Sequence, residues 1–237
     1  MPRILLTLIL FLPFYLSGQN LIRNADFEQK NGCPSGPGQI NLANYWYSPN
    51  GATPDYFNDC ATSMNYGTEF NKKGGQIAHS GKAYAGLQFY SMNRNDYYEY
   101  LETRLDSALL PNRLYCITAF ISLGQATYAL DELGAVLSVN EVRSGSNSKM
   151  KLPYTQLVSG ESLTDQDQWM CIRGIVKAKG GERFITVGDF SKKDNFRNIR
   201  TGMSTDSLFK STYYFIDAVS LESISDSNQC SCNPSPH

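Results

Sequence analysis

Histidine and tryptophan are nearly absent from this 237-residue chain, at two residues each. So few imidazoles leave little for His-based acid–base chemistry or a His-rich metal site. An excess of charge of one sign is missing too. The 21 Lys and Arg are matched by 22 Asp and Glu, for a net charge of −1, and no basic cluster exceeds two residues. That removes the electrostatic footprint needed to hold a phosphate backbone, so nucleic acid is excluded as a partner. Long apolar runs are also lacking. The best, Ile4 to Leu16, is shorter than the ~20 residues that cross a bilayer, and Pro13 interrupts it. What remains is 41% hydrophobic and rich in strand-favouring aromatics, with 15 Tyr and 12 Phe. The length suits one all-β domain, since sandwiches and barrels commonly use ~200–250 residues as one unit.

The N-terminus reads as a secretory signal over residues 1–18: Arg3, then Ile4 to Leu16, then the small pair Ser17-Gly18. No Cys follows the apolar stretch, so no lipid attachment point is expected, and no transmembrane segment is expected after cleavage. Export makes disulfides permissible, and six cysteines allow 15 pairings. Cys33 and Cys60 both lie in Gly/Pro/Asn-rich chain that lacks ladder hydrogen bonds, where a bridge would organise it, so this pair is expected. Cys116 and Cys171 sit in apolar strand patterns as small buried hydrophobes, paired to each other if their strands adjoin. Cys230 and Cys232 fall in a Ser/Asn/Pro tail, 225–237, expected to be flexible, with these thiols free or intermolecular.

Periodicity predicts strands over 84–90, 99–105, 114–123, 134–139, 170–177, 183–190 and 213–221, each bounded by turn chemistry. Gly180-Gly181 predicts a hairpin between 170–177 and 183–190. Residues 96–110 also carry a helical alternative, because Tyr97, Tyr100, Leu101, Leu105 and Leu109 recur at helical spacing; the strand is preferred. The sum is an all-β antiparallel sandwich over residues 19–224. The stretch from Asn24 to Gly81 is loop-rich and holds Tyr45-Trp46-Tyr47 and Tyr56-Phe57, and loops of that length are usually functional or stapled.

Three motifs, Asn20-Leu21-Ile22-Arg23-Asn24-Ala25-Asp26-Phe27-Glu28, His79-Ser80-Gly81-Lys82-Ala83-Tyr84 and Tyr214-Phe215-Ile216-Asp217-Ala218-Val219-Ser220-Leu221, together resemble a galactose-binding-type jelly roll, a fold shared by many carbohydrate-binding modules. With Cys33-Pro34, Trp46, Thr53-Pro54-Asp55-Tyr56-Phe57-Asn58, Cys60-Ala61 and Leu133-Gly134-Ala135, the chain is similar to the N-terminal module of OmpA-family outer-membrane proteins from gliding, type IX-secreting Gram-negative bacteria. The resemblance implies that the first and last strands lie side by side. It also implies a structural calcium near their junction, held by Glu28, the main-chain carbonyl of Lys82 and Asp217, with further oxygens completing the shell. In that group a peptidoglycan-binding domain commonly follows the module. The last predicted strand here ends shortly before His237, so neither that anchor nor a separate C-terminal sorting domain is carried over.

Sugar recognition in such folds uses aromatic faces with polar side chains beside them. Tyr45, Trp46, Tyr47, Tyr56, Tyr97 and Tyr98 are the candidates for the platform, and Arg94, Asn95 and Asp96 for the polar complement; the competing role for Trp46 is a plug in its loop-rich segment. No catalytic constellation is visible. His79-Ser80 lacks a nucleophile elbow, and the acidic pairs Asp131-Glu132 and Asp165/Asp167 read as solvated turns unless they meet across a cleft. The expectation is a non-catalytic extracytoplasmic binding module, in the periplasm or at the outer membrane, serving as an accessory subunit that contacts an envelope protein or glycan. The alternative is a glycan-acting hydrolase or esterase on the same scaffold.

Overall fold

The computed structural model describes residues 18–91, 96–126, 128–192, 196–198 and 211–232. The expected signal segment therefore falls outside the described residues except for Gly18, as do Arg94 and Asn95. Twelve strands are described: β1 (Trp46–Tyr47), β2 (Asp55–Asn58), β3 (Ala83–Ser91), β4 (Leu101–Arg104), β5 (Leu114–Leu123), β6 (Tyr128–Leu130), β7 (Leu133–Ser138), β8 (Thr155–Leu157), β9 (Met170–Lys177), β10 (Phe184–Gly188), β11 (Phe196–Asn198) and β12 (Ser211–Ile224). They form one sheet in the order β1-β4-β10-β7-β8, a second in the order β2-β3-β12-β5-β9, and a two-stranded β6-β11 ribbon, all antiparallel. This is the all-β sandwich that the alternation predicts.

Side chains alternate across a pleated strand, and β5 shows how that builds the core. Ile117, Ala119 and Ile121 point inward and are fully buried, while Cys116, Thr118 and Phe120 face out. β12 keeps its apolar residues on the inner face only through a bulge. Asp217 pairs with Phe120 and Ser220 with Thr118, so Ala218 and Val219 oppose a single residue. Ala218 takes a φ of 46° there, which permits the extra residue. Ile216 lies inside before the bulge and Val219 and Leu221 after it, with Asp217 turned outward at the break.

The N-terminal segment lies beside β12 as expected, but as irregular chain and not as a strand, and the first strand, β1, belongs to the opposite sheet. The Leu21 amide donates to the Leu221 carbonyl at 3.0 Å, Val219 donates to Ala25 at 3.0 Å, and the Asn20 side chain bonds Val219 and Leu221. The 101–104 segment is a strand, since its alternation puts Leu101 and Thr103 inside; the helical alternative for 96–110 is not formed.

The hairpin across Gly180-Gly181 is corrected. β9 pairs with β5 in one sheet and β10 with β4 and β7 in the other, so the Gly pair carries the chain between layers. Both glycines have positive φ, 100° and 91°, which suits any sharp reversal and does not distinguish a hairpin from a crossover. The tail is also corrected as far as residue 232. Cys116 pairs with Cys230 and Cys171 with Cys232, alongside the expected Cys33–Cys60 bridge. Cys116 and Cys171 lie four residues out of register on adjacent strands, because Cys171 faces Phe120, and so each reaches the tail instead of the other.

Candidate functional site

Both sheets have their outer faces covered by loops. Over the β2-β3-β12-β5-β9 sheet, residues 59–80 close onto Phe57, Tyr66, Tyr84, Tyr213 and Phe215, a second apolar cluster outside the main core. Phe57 meets Phe215 edge-on at 5.5 Å, and Tyr84 lies 5.0 Å from Phe215. Over the β1-β4-β10-β7-β8 sheet runs a strap, residues 139–154, which packs Met150 into the main core and is fastened along its length by polar bonds.

The strap is held at Glu102. Register places Tyr47, Glu102, Thr186 and Val136 in one row across β1, β4, β10 and β7, on the face opposite the core. The Glu102 carboxylate accepts from the Tyr47 hydroxyl at 3.0 Å, the Thr186 hydroxyl at 2.6 Å and the Val142 amide at 3.1 and 3.2 Å. Burial pushes this carboxyl above its ordinary value, opposed by its hydrogen bonds to Thr186, Tyr47 and Val142. Burial, then the neighbouring Glu102, pushes the Tyr47 phenol upward, so it stays a donor.

Further along, Met150 donates its amide to the Tyr100 hydroxyl at 2.9 Å, and Lys149 pairs with Asp189 at 2.7 Å. Gly134 and Gly188 lie beneath; a Cβ on either would strike Tyr154, Phe190 or Tyr100, so only glycine lets these rings lie flat on the sheet.

Where the strap passes the 47–51 segment it leaves a groove of about 580 Å³, lined by Tyr47, Ser48, Pro49, Asn50, Gly51 and residues 141–145. The Ser144 amide donates to the Pro49 carbonyl at 2.9 Å and ties the two walls together. Asn50 is fixed by its own contacts: its side-chain amide donates to the Tyr98 carbonyl at 2.9 Å, and its oxygen accepts from Ser48 at 2.9 Å. The charges of the lining are paired, with Arg143 bonded to Glu141 on the exposed rim. The groove is therefore a prearranged, charge-balanced surface of amides and hydroxyls beside one tyrosine ring.

The seven residues expected to bind a glycan or partner are dispersed. Tyr47 lines the groove. Tyr45 is 49% exposed, with Arg23 over its ring at 5.5 Å. Trp46 is the plug: it is buried, stacked on Phe27 at 4.9 Å, and its indole N–H donates to the Asn24 carbonyl at 2.8 Å. Tyr56 is fully buried, its hydroxyl bonded to the Phe27 carbonyl at 2.9 Å. Neither ring has a face left for a ligand, because each is committed to folding the 24–58 segment.

Tyr97 is half-buried against Thr53 and Glu99, while Tyr98 is buried, with the Lys149 ammonium 5.4 Å from its ring. Arg94 lies outside the described residues. Sequence reading missed Glu102 and the strap. The run Ser144-Gly145-Ser146-Asn147 signals only a turn, and a lone Glu in an alternating strand looks like any solvent-facing charge.

Of the expected calcium ligands, Asp217 lies at the β12 bulge with Glu28 near enough to raise its pKa, while the Lys82 carbonyl accepts from the Asp59 amide at 3.0 Å. Asp217 is fully buried and accepts from the Ser80 amide at 3.0 Å and the Ala218 amide at 2.7 Å. Glu28 accepts from the Lys82 amide at 2.6 Å, and its carboxylate occupies the space a Cβ on Gly81 would need. Burial pushes the Asp217 carboxyl up to about 7, with Asp26 and Glu28 adding to the rise. The Ser80 hydroxyl is buried there without a hydrogen-bond partner. Among the described residues no three His, Cys, Asp or Glu side chains converge as a metal cluster, so carbonyl, hydroxyl or water oxygens would have to complete a shell.

The acidic pairs considered for catalysis are engaged elsewhere. Glu132 accepts from Tyr154 at 2.5 Å and from Gln156. Asp165 caps the amides of Asp167 and Gln168 at 2.8 Å each. His79 is stacked on Phe120 at 3.6 Å, and burial lowers its pKa.

The fold and groove define an antiparallel β-sandwich with a strap-walled polar site. No protein-family model matches the chain, and no curated protein does. Solved structures of similar shape include the CBM22-1 xylan-binding domain of Xyn10C from Paenibacillus barcinonensis, at 13% identity over 89% of this chain and 98% of that one, with a TM-score of 0.47. The K3 cleaved adhesin domain of Lys-gingipain from Porphyromonas gingivalis follows at 17% identity, 86% and 96% coverage and 0.40. The CBM22-1-GH10 modules of xylanase 10B from Clostridium thermocellum stand at 11% identity, 77% and 27% coverage and 0.41. At these values the fold assignment rests on the strand pairing itself.

Proposed function

We propose that this chain is a non-catalytic extracytoplasmic binding module whose strap-walled groove takes a segment of a cell-envelope glycan, and that it serves as an accessory subunit at the outer membrane. The observation that carries the reading is the groove: fixed hydroxyl and amide groups beside the Tyr47 ring, with its charges already paired. Such a surface suits a polyhydroxylated, uncharged chain, which offers hydrogen bonds and an apolar ring face but no compensating charge. Nothing in the groove favours hydrolysis, since Glu102 is enclosed by its donors and Glu141 is bound to Arg143. Three disulfides favour an oxidising compartment. No helix among the described residues is long and apolar enough to cross a membrane.

The test is affinity electrophoresis of the purified protein through gels containing envelope polysaccharides, followed by calorimetry with the best binder. Retention that Tyr47→Ala abolishes while near-UV circular dichroism is unchanged supports the reading. Free migration in every polysaccharide, together with a stable complex with an envelope protein recovered from membranes, replaces it with protein contact.

We also infer a structural calcium held by Glu28, the Lys82 carbonyl and Asp217, with the unpartnered Ser80 hydroxyl beside them. A bound cation there would neutralise buried negative charge and fasten the N-terminal segment to β12. Chelator should lower the melting temperature of the native protein and leave that of Asp217→Asn unchanged; identical melting of native protein with and without chelator removes the cation.

A further inference from the structure

Two of the three disulfides fasten one short segment to the outer side of β5 and β9. Residues 225–232 lie over these strands, with Cys230 bonded to Cys116 and Cys232 to Cys171. Their other attachments are few. The Asp226–Gln229 capping box is internal to the segment. Outward, Arg173 donates to the Cys230 carbonyl at 2.9 Å, and Cys230 packs with Cys116, Ile224 and Leu114. The covalent bonds are therefore the principal hold.

The three disulfides differ in surroundings. Cys116 and Cys230 are each 5% exposed, out of reach of an attacking thiolate. Cys171 and Cys232 are half-buried, and so are Cys33 and Cys60. Charge separates these last two bonds. Cys171 and Arg173 are two residues apart on β9 and project from the same face, roughly 7 Å apart along the strand. Arg173 is also held toward the tail by its bond to Cys230. Cys60, by contrast, directly follows Asp59. A cation near the sulfur that leaves stabilises it as a thiolate and speeds exchange, whereas an anion slows it.

We propose that Cys171–Cys232 is a thiol–disulfide exchange site, opened first by a dithiol reductant, and that its opening frees the tail end from the sheet. One thiolate of the reductant attacks the Cys232 sulfur. The S–S bond breaks with its electron pair leaving on Cys171, on the same face of β9 as Arg173, where the thiolate later takes up a proton. The second thiol of the reductant loses its proton and attacks the reductant's own sulfur in the mixed disulfide, expelling the Cys232 thiolate. Two electrons and two protons pass to the protein, and the dithiol becomes a disulfide. The buried Cys116–Cys230 bond survives this step and keeps the tail tethered by one point.

The experiment is timed reduction of the oxidised protein with limiting dithiothreitol, alkylation quench and peptide mapping. Cys171 and Cys232 should be the first pair labelled, with the other two bonds intact, and proteolysis within 225–232 should accelerate at that stage. Arg173→Gln should slow this reduction roughly three- to tenfold, Arg173→Lys should retain most of the native rate, and the other two bonds should open at unchanged rates. The proposal is overturned if another bond opens first in the native protein, if Arg173→Gln leaves the rate unaltered, or if the tail stays protected after labelling. The native order of opening decides the matter even if Arg173→Gln fails to fold.

Discussion

Over the β2-β3-β12-β5-β9 sheet the covering loop adds Tyr66 to an aromatic cluster of Phe57, Tyr84, Tyr213 and Phe215, in which Phe57 and Tyr213 meet Phe215 edge-on. The loop's hydrogen bonds to the Tyr84 hydroxyl, from Asn71 and Gln76, lie at the margin of that packing. Over the β1-β4-β10-β7-β8 sheet the strap meets Glu102, Tyr100 and Asp189, and is held through amide, hydroxyl and ammonium donors. The difference teaches how the groove beside Tyr47 stays open. Apolar packing is non-directional and closes until water is excluded. Hydrogen bonds fix a loop at a few points and leave room between them, and here that room is the groove beside Tyr47.

The largest effect should come from the aromatic cover. Phe57→Ala or Phe215→Ala removes a fully buried ring, and urea unfolding should show a loss of ~3–5 kcal/mol. A loss much smaller than this would mean that the outer cluster is not a packed core. Next comes the polar cover, where Glu102→Leu strips the acceptor from Val142, Thr186 and Tyr47. Stability should drop by about 1–3 kcal/mol, and hydrogen exchange at the Val142 amide should rise while the 59–80 loop keeps its protection. Equal deprotection of both loops would erase the distinction between the two covers.

A third change concerns the carboxyl pair at the margin of the aromatic cover, where Tyr213 donates to Asp55 at 2.8 Å. Burial, then the nearby Asp55, pushes Glu99 up to about 8. The folded state thus holds this proton more tightly than the unfolded chain does, and the stability it contributes is lost as pH rises toward and through 8. Glu99→Gln should flatten that fall and be more stable than the native protein on its alkaline side, by on the order of 1 kcal/mol. A native stability curve that is level across this range would remove Glu99 as the cause. The smallest effect belongs to the groove rim: Arg143→Ala breaks an exposed ion pair and should change stability by less than ~0.5 kcal/mol. Any loss of glycan retention in that variant then reports on the groove and not on the fold.

Much of the sandwich was legible in advance because strand alternation is local. The 114–123 and 170–177 segments form strands over those same residues, since their period-two patterns are bounded by turn residues. Partner choice was not legible. The pattern after Gly180-Gly181 is the same whether the next strand joins its neighbour or the opposite sheet, and here β10 enters the opposite sheet between β4 and β7 although β9 is an edge strand. Tyr45-Trp46-Tyr47 makes the same point within three residues: Trp46 plugs the core, Tyr47 lines the groove and Tyr45 meets solvent. Composition names the rings, and backbone direction alone separates their roles.

By itself, then, the amino-acid order determined the chain's class: two-residue periodicity, abundant Tyr and Phe, balanced charge, and cysteines suited to an oxidising compartment. It also marked the Cys33–Cys60 staple, and the jelly-roll resemblance of its motifs implied the meeting of Asn20–Glu28 with β12. Only tertiary structure decided that Glu102 anchors a strap, that Cys230 and Cys232 reach two adjacent strands, and that a groove opens beside Tyr47. Those features join residues tens of positions apart, and their free energy comes from contacts that exist only after both sheets have stacked.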